Sequence, residues 1–231
     1  LPDILKRYPD VRAEFQGQSR DNDEASDQIG VYFGFAFLIM FLILMINFHS
    51  FSQAVIVLFM IPLSWLGASW GHAVEGFPVS MLSAWGMVAL SGVIINDAVV
   101  FLSKYNLYLK EGKTVQKAVY EAGISRFRPI VLTSVTTVIG LYPLILEKSF
   151  QAQFLIPMAI SLAYGVLIGT AFILVFFPII ILILNDIKVN LQWIWTGRKP
   201  APEEVEVAVR ALRRHEEIVY EDQTAEKRPE A

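Results

Sequence analysis

The stretch Ser91-Gly-Val-Ile-Ile-Asn-Asp-Ala-Val-Val100 places a carboxylate inside a long apolar segment of the chain. Asp97 is the only ionisable side chain between Val79 and Ser103. A charged side chain at the bilayer centre costs about 2.5–3.5 kcal/mol on insertion scales, and such residues usually face a bundle interior and mark an ion or substrate path. The sequence therefore predicts a membrane protein that handles a proton or an ion.

Apolar residues are concentrated in five segments around this one. Hydrophobic side chains make up 55% of the sequence and charged ones only 18%, which excludes an ordinary soluble domain. About 20 apolar residues in a helix cross a hydrocarbon core of about 30 Å. The predicted fold class is therefore all-α transmembrane, with five helices at about 30–48, 54–71, 79–103, 128–147 and 153–185.

The charges between these segments predict the orientation of the chain. Residues 104–128 contain six lysines and arginines, whereas the connections 72–78 and 147–153 contain one between them. Because cytoplasmic connections are enriched in Lys and Arg, we expect the loop 104–127 and the C-terminus to be cytoplasmic. With five spans, the N-terminus then lies on the other side of the membrane.

The parts outside the spans have patterns of their own. Residues 112–123 are predicted to form a short amphipathic helix with Thr114 as its N-cap and an apolar stripe of Val115, Ala118, Val119 and Ala122. Residues 10–17 alternate like a strand, and because a lone strand is unstable we expect the chain to be a piece of a longer protein. Residues 187–231 are predicted to hold an interfacial segment, a charged helix and a disordered tail.

The polar residues of the third span allow two interpretations. At spacings of three and four residues, one helical stripe contains Ser83, Gly86, Ala89, Val93, Asn96 and Asp97. Asp97 is either buried among helices, where it gains and loses a proton, or it reaches the cytoplasmic interface and is hydrated there. Burial would make it part of a proton path.

The fourth span offers hydroxyl groups that could serve the same path. Thr133, Thr136, Thr137 and Gly140 fall on one face. Their hydroxyls could bind a carboxylate or hold water, or they could bond the carbonyls four residues earlier, which is the interpretation that we favour for Ser134. Arg126 and Arg128, before Pro129, either contact lipid phosphate or belong to the site.

Other residue types point to no further chemistry. The chain has no cysteine, which excludes disulfides and thiolate metal ligands. His49 and His72 are single residues near the interfaces, so neither indicates a metal site. An intramembrane protease would need two apposed acids or a nucleophile with a histidine at depth, and only Asp97 lies in a span. We therefore expect that the protein is not an enzyme and that it binds no cofactor.

Two stretches together resemble the C-terminal membrane half of resistance-nodulation-division (RND) efflux permeases, which include the AcrB-like multidrug exporters. The stretches are 91–100 and 121–144, and within the second the most specific strings are Arg126-Phe-Arg-Pro129 and Gly140-Leu-Tyr-Pro-Leu144. The likeness covers residues 10–186, with support from Phe15-Gln-Gly17, Ser52, Ile61-Pro-Leu63 and Gly67.

This resemblance implies a permease of about twelve spans in two similar halves, with large periplasmic domains between spans. Such permeases sit in the bacterial inner (cytoplasmic) membrane as homotrimers, joined to a periplasmic adaptor and an outer-membrane channel. This chain would supply the last five spans, with residues 1–29 ending the periplasmic porter region. The implied function is secondary active transport, a proton/substrate antiport that exports small amphiphilic molecules from the cell envelope.

The resemblance also implies a proton relay made of Asp97, Asn96 and Thr133, with Thr137 and Arg128 in support. The family's principal acidic pair lies on a span of the first half, and drug exporters often place a lysine opposite it. Asn96 and Asp97 stand at that position here, so the proton stoichiometry stays open. The alternative function is a non-exporting module of the same fold, such as a sterol-sensing or protein-export relative. Without cysteine or methionine clusters, a metal path through these spans is disfavoured.

Overall fold

The computed structural model describes the backbone of residues 18–214 and the side chains of residues 30–214. This part of the chain contains no strand and consists of α1 (Gln18–Phe48), α2 (Phe51–Glu75), α3 (Met81–Lys110), α4 (Val115–Ile145), α5 (Phe150–Gln153) and α6 (Ile156–Thr196), followed by helical residues 207–214. The strand predicted at 10–17 and the end of the predicted tail lie outside the described residues.

Five of these helices are long and apolar enough to cross a membrane. They are α2, α3, α4, α6 and the part of α1 from Gly30 to Phe48. In a bilayer every backbone polar group must be satisfied within the protein, and a helix does this within its own segment. The predicted all-α transmembrane fold with five spans is confirmed.

The connection after α3 differs from the prediction. Residues 104–127 do not form a long loop, because α3 continues to Lys110 and α4 begins at Val115. The amphipathic helix expected at 112–123 is the first part of α4, and its apolar stripe is buried. The residue before a proline is biased away from helix, but here the helix continues through Pro129.

The turn between these helices is short and charged. Gly112 has a φ of 82°, which glycine adopts without strain, and Thr114 is extended at the N-cap without a side-chain cap bond. Lys113 donates to Glu121 at 2.6 Å and lies 3.1 Å from Glu111. The hydrogen bond to Glu121 raises the pKa of Lys113, so this side chain stays protonated between its two carboxylate partners.

The described chain divides into two compact units, one ending at Ile43 and the other starting at Leu44. In the first unit α1 exposes large apolar side chains such as Tyr32 and Phe35. In the second unit α6 contacts α2, α3 and α4, and so forms the centre of the bundle.

Small residues let α6 approach its neighbours closely. A Cβ atom added to Gly165 would overlap the Leu90 side chain of α3, and one added to Gly169 would lie 3.1 Å from Ser64 Cβ of α2. Close approach through small residues is how transmembrane helices gain packing energy without a hydrophobic driving force. The Gly165-x-x-x-Gly169 pair is therefore a packing motif between three helices.

The chain after α6 folds back onto the bundle. The carboxylate of Glu206, only 2% exposed, accepts from Asn185 Nδ2 at 2.8 Å and Lys188 Nζ at 3.2 Å. Glu203 Oε1 accepts from the backbone N–H of Val115, at the start of α4, at 3.3 Å. These bonds tie residues 200–214 to α6 and α4. The segment from residue 187, expected to be interfacial, is helical and continues α6, which ends at Thr196.

Replacing Gly165 with alanine should destabilise the bundle by about 1–3 kcal/mol, because the methyl group has no room beside Leu90. Thermal unfolding in detergent measures the effect as a lower Tm. Gly92→Ala is the matched control, since a Cβ there meets nothing within 4 Å. Equal Tm values for the two variants would contradict close packing at Gly165.

Replacing Glu206 with alanine should loosen residues 200–214, because Lys188 loses its acceptor and Asn185 keeps only the carbonyl oxygen of Pro202, at 2.8 Å. Lost hydrogen bonds of this kind cost about 1–2 kcal/mol, allowing for the partial exposure of Lys188. Hydrogen exchange within the segment should then be about 5–30 times faster. Glu204→Ala removes a more exposed ion pair with Arg213 and should change exchange little. Unchanged protection in the first variant would refute the docking.

Candidate functional site

Asp97 is a buried carboxylic acid on the face of α3 that packs into the bundle. Asp97 is only 9% exposed. Its Oδ2 atom is buried and has no hydrogen-bond donor among the described residues. A buried polar group without a partner is costly, more so when it carries a charge. This carboxyl group therefore needs either a hydrogen-bond donor or a proton of its own.

The helix itself explains why Asp97 is inside. Ser80 is the N-cap of α3. Its hydroxyl accepts from the backbone N–H of Ser83, and Ser83 Oγ accepts from the backbone N–H of Ser80, so a capping box fixes the first turn of the helix. Further along, the fully buried Phe101 and Tyr105 share the face of Asp97 at intervals of four residues. Asp97 lies about 20 Å before the end of α3. Because the residue is buried in the bundle, the structure favours the buried interpretation.

The predicted stripe divides into a buried and an exposed part. Ser83, Gly86 and Asp97 face the bundle, whereas Ala89 and Asn96 are exposed. Adjacent residues of a helix are turned by about 100° from each other, so Asn96 presents its amide on the outer surface of α3. No hydrogen bond links Asn96 to Asp97 among the described residues.

The threonines of α4 bond their own helix. Thr133 Oγ1 donates to the carbonyls of Pro129 at 3.1 Å and Ile130 at 2.9 Å, and Thr137 Oγ1 donates to Thr133 O at 2.7 Å. The hydroxyl of Thr136 does the same with Leu132 O at 2.9 Å. The structure thus shows the local backbone bonding that was the alternative interpretation. A relay role for Thr133 and Thr137 stays a prediction.

The buried hydroxyl of α4 is that of Ser134. It bonds Ile130 O at 2.9 Å and also the hydroxyl of Thr170 on α6, so it links two helices. The sequence signal was that Ser134 lies one turn after the buried Ile130, on the inner face of α4. The threonine pattern drew attention to the neighbouring, outer face.

The two arginines before Pro129 have different surroundings. Arg128 is exposed, whereas Arg126 is partly buried and its Nε atom is shielded without an acceptor among the described residues. Arg126 lies four residues after the buried Ala122, which places it at the inner face of α4. The sequence assigned a supporting role to Arg128, and Arg126 is the arginine that the fold brings inside.

Two further polar contacts join the helices that hold the site. Gln53 of α2 and Asn106 of α3 exchange two amide hydrogen bonds, each 3.0 Å long. Trp65 of α2 donates its indole N–H to Ser91 Oγ of α3 at 3.1 Å. These contacts fix α3 against α2 on both sides of Asp97 along the helix.

Comparison with known proteins places this chain in a family. Residues 4–185 match the profile of the AcrB/AcrD/AcrF family. The swarming motility protein SwrC of Bacillus subtilis is 28% identical over 203 residues, which are 87% of this chain and 18% of that protein. The structure resembles that of a heavy metal efflux pump in two crystal forms, with TM-scores of 0.67 and 0.64 at 23% identity.

Both pump structures match 80% of this chain and 19% of their own length. At that identity the likeness concerns the fold, and the chain spans about a fifth of the relatives that it matches. The profile match covers most of the chain and extends through α1 to α4 and most of α6. The chain belongs to the AcrB/AcrD/AcrF family of RND efflux permeases and forms an all-α portion of their membrane domain.

Proposed function

We propose that this chain is the membrane part of a proton-driven RND exporter, in which Asp97 takes up and releases the proton. The observation that carries the proposal is the buried Oδ2 atom of Asp97, which has no donor among the described residues. A carboxyl group in that position is satisfied differently in its neutral and charged forms, because only the neutral form can donate a hydrogen bond. Protonation can therefore be coupled to a change of partner.

Asn96 and Thr133 complete the proposed relay from the outer surfaces of α3 and α4. Both are exposed on this chain, so the helices of the first half of the permease could cover them. Thr137 and Arg128 support the relay on the same helix as Thr133. In such an arrangement the amide and hydroxyl groups would bind a carboxylate or water on the facing helices.

The wider setting is part of the same proposal. The chain works within a homotrimer that contacts a periplasmic adaptor and an outer-membrane channel, in the inner membrane of a bacterium. The turn 111–114 and the C-terminus face the cytoplasm, which the positive charge between Lys104 and Arg128 supports. Small amphiphilic molecules are the proposed substrates of this proton/substrate antiport. The fold is shared with a heavy metal efflux pump, so metal ions are the competing substrate class.

Asp97→Asn in the complete permease should reduce proton-coupled export to background, because an amide cannot exchange a proton at this position. The measurement is dye efflux together with the pH change inside proteoliposomes, with metal ions as a second substrate. Asp186→Asn, an exposed carboxylate of α6, is the matched control and should export normally. Wild-type export by a correctly assembled Asp97→Asn variant would disprove the proton role. A parent protein that exports neither the dye nor metal ions would favour the non-exporting module.

Thr133→Val should slow export about a hundredfold if its hydroxyl holds relay water, in line with the lower end of proton-transfer contributions. The same assay measures it. Thr136→Val is the control, because this neighbouring threonine also bonds only its own helix and has no proposed role. Equal rates for both variants would restrict Thr133 to local backbone bonding.

A further inference from the structure

His72 is a buried imidazole at the end of the bundle formed by the last turn of α2 and the start of α6. It is 3% exposed, although the sequence placed it in an interfacial connection. Its Nε2 atom lies 2.9 Å from Ser161 Oγ of α6, and its Nδ1 atom lies 3.3 Å from the carbonyl oxygen of Phe77. Both ring nitrogens therefore have a polar partner.

The local sequence builds this arrangement. Gly76 takes a positive φ of 71° and ends α2, with its N–H bonded to His72 O. The N–H of Phe77 bonds the same carbonyl at 3.2 Å, so the chain turns back over the end of the helix. This turn brings the carbonyl oxygen of Phe77 to the imidazole of His72, whose own carbonyl oxygen accepts the Phe77 N–H.

The partners of His72 can satisfy two protonation states. A carbonyl oxygen only accepts, so Nδ1 carries a hydrogen whenever it bonds Phe77. In the neutral ring, Nε2 then accepts the hydroxyl hydrogen of Ser161. When a proton adds to Nε2, this nitrogen donates to Ser161 Oγ instead, and the serine hydrogen can turn to the carbonyl of Pro157, four residues earlier. Neither state leaves a ring nitrogen unpaired.

A second polar pair lies beside the first on the same two helices. The Tyr164 hydroxyl donates to Glu75 Oε1 at 2.6 Å, and the Tyr164 side chain crosses α2 at Gly71, where a Cβ atom would overlap it. Glu75 and Tyr164 are the titratable groups that α2 and α6 add here, and Tyr142 of α4 acts electrostatically on Tyr164.

The remaining neighbour of this end, α3, supplies hydroxyls and no charge. Its first turn carries Ser80 and Ser83, which bond each other. Asp97 lies deeper in the bundle, about 24 Å from the start of α3. The His72 cluster is thus separate from the proposed relay.

We propose that His72, with Ser161 and the Phe77 carbonyl, is a second proton-binding site at the end of the bundle opposite the turn 111–114. The Ser161 hydroxyl rotates, so that it donates to the neutral ring and accepts from the protonated ring. If the turn 111–114 is cytoplasmic, this site faces the side from which protons arrive.

The test is a histidine ¹⁵N NMR titration of the complete permease in lipid, in which the His72 signals are those missing from His72→Gln. These signals should change from the neutral to the protonated pattern between about pH 5 and 8. His49→Gln, which removes an exposed imidazole after α1, should leave them in place. A His72 ring that keeps one protonation state over this range overturns the proposal.

Ser161→Ala keeps the imidazole and guards against loss of folding in the glutamine variant. Its His72 Nε2 signal should move at both ends of the titration, because both forms lose their partner. An unmoved signal would show that Ser161 is not the partner and would also overturn the site. Asp97→Asn should leave the His72 titration intact, so failure of the Asp97 role and failure of this one are separate results.

Discussion

The close approach of α6 to α2 and α3 is the constraint on which the bundle depends. In lipid, apolar side chains gain nothing from leaving the solvent, so helices associate through van der Waals contact and hydrogen bonds. Gly165 and Gly169 let α6 sit against Leu90, Ile94 and Ser64 without a gap. Asp97 and His72 are both buried within the bundle that these contacts hold together.

Long apolar segments made the architecture predictable, and the depth of Asp97 followed from it. Hydropathy alone located five spans, because the bilayer thickness imposes a minimum length. The orientation of single side chains was harder to predict. Asn96 and Asp97 are neighbours in sequence, yet one is exposed and the other buried, which depends on where α6 lies. The sequence predicts a helix boundary near Pro129, but α4 continues through this residue.

Long-range hydrogen bonds were beyond prediction. Ser161 is 89 residues from His72, and Thr170 is 36 residues from Ser134. A single sequence gives no sign of which distant hydroxyl will meet a given histidine or serine. The sequence predicts only a charged helix around Glu206, since its partners Asn185 and Lys188 become apparent only when the chain folds back.

The continuity of α4 has a mechanical consequence. One helix of 31 residues joins the turn at Lys113 to the far end at Ile145, over about 46 Å. Because the helix is continuous from Val115 to Ile145, a tilt of the whole helix moves both of its ends. A tilt of about 10° at one end displaces the other by about 8 Å. A small rearrangement beside Ser134 and Thr170, close to the midpoint of α4, would therefore displace both ends of this helix.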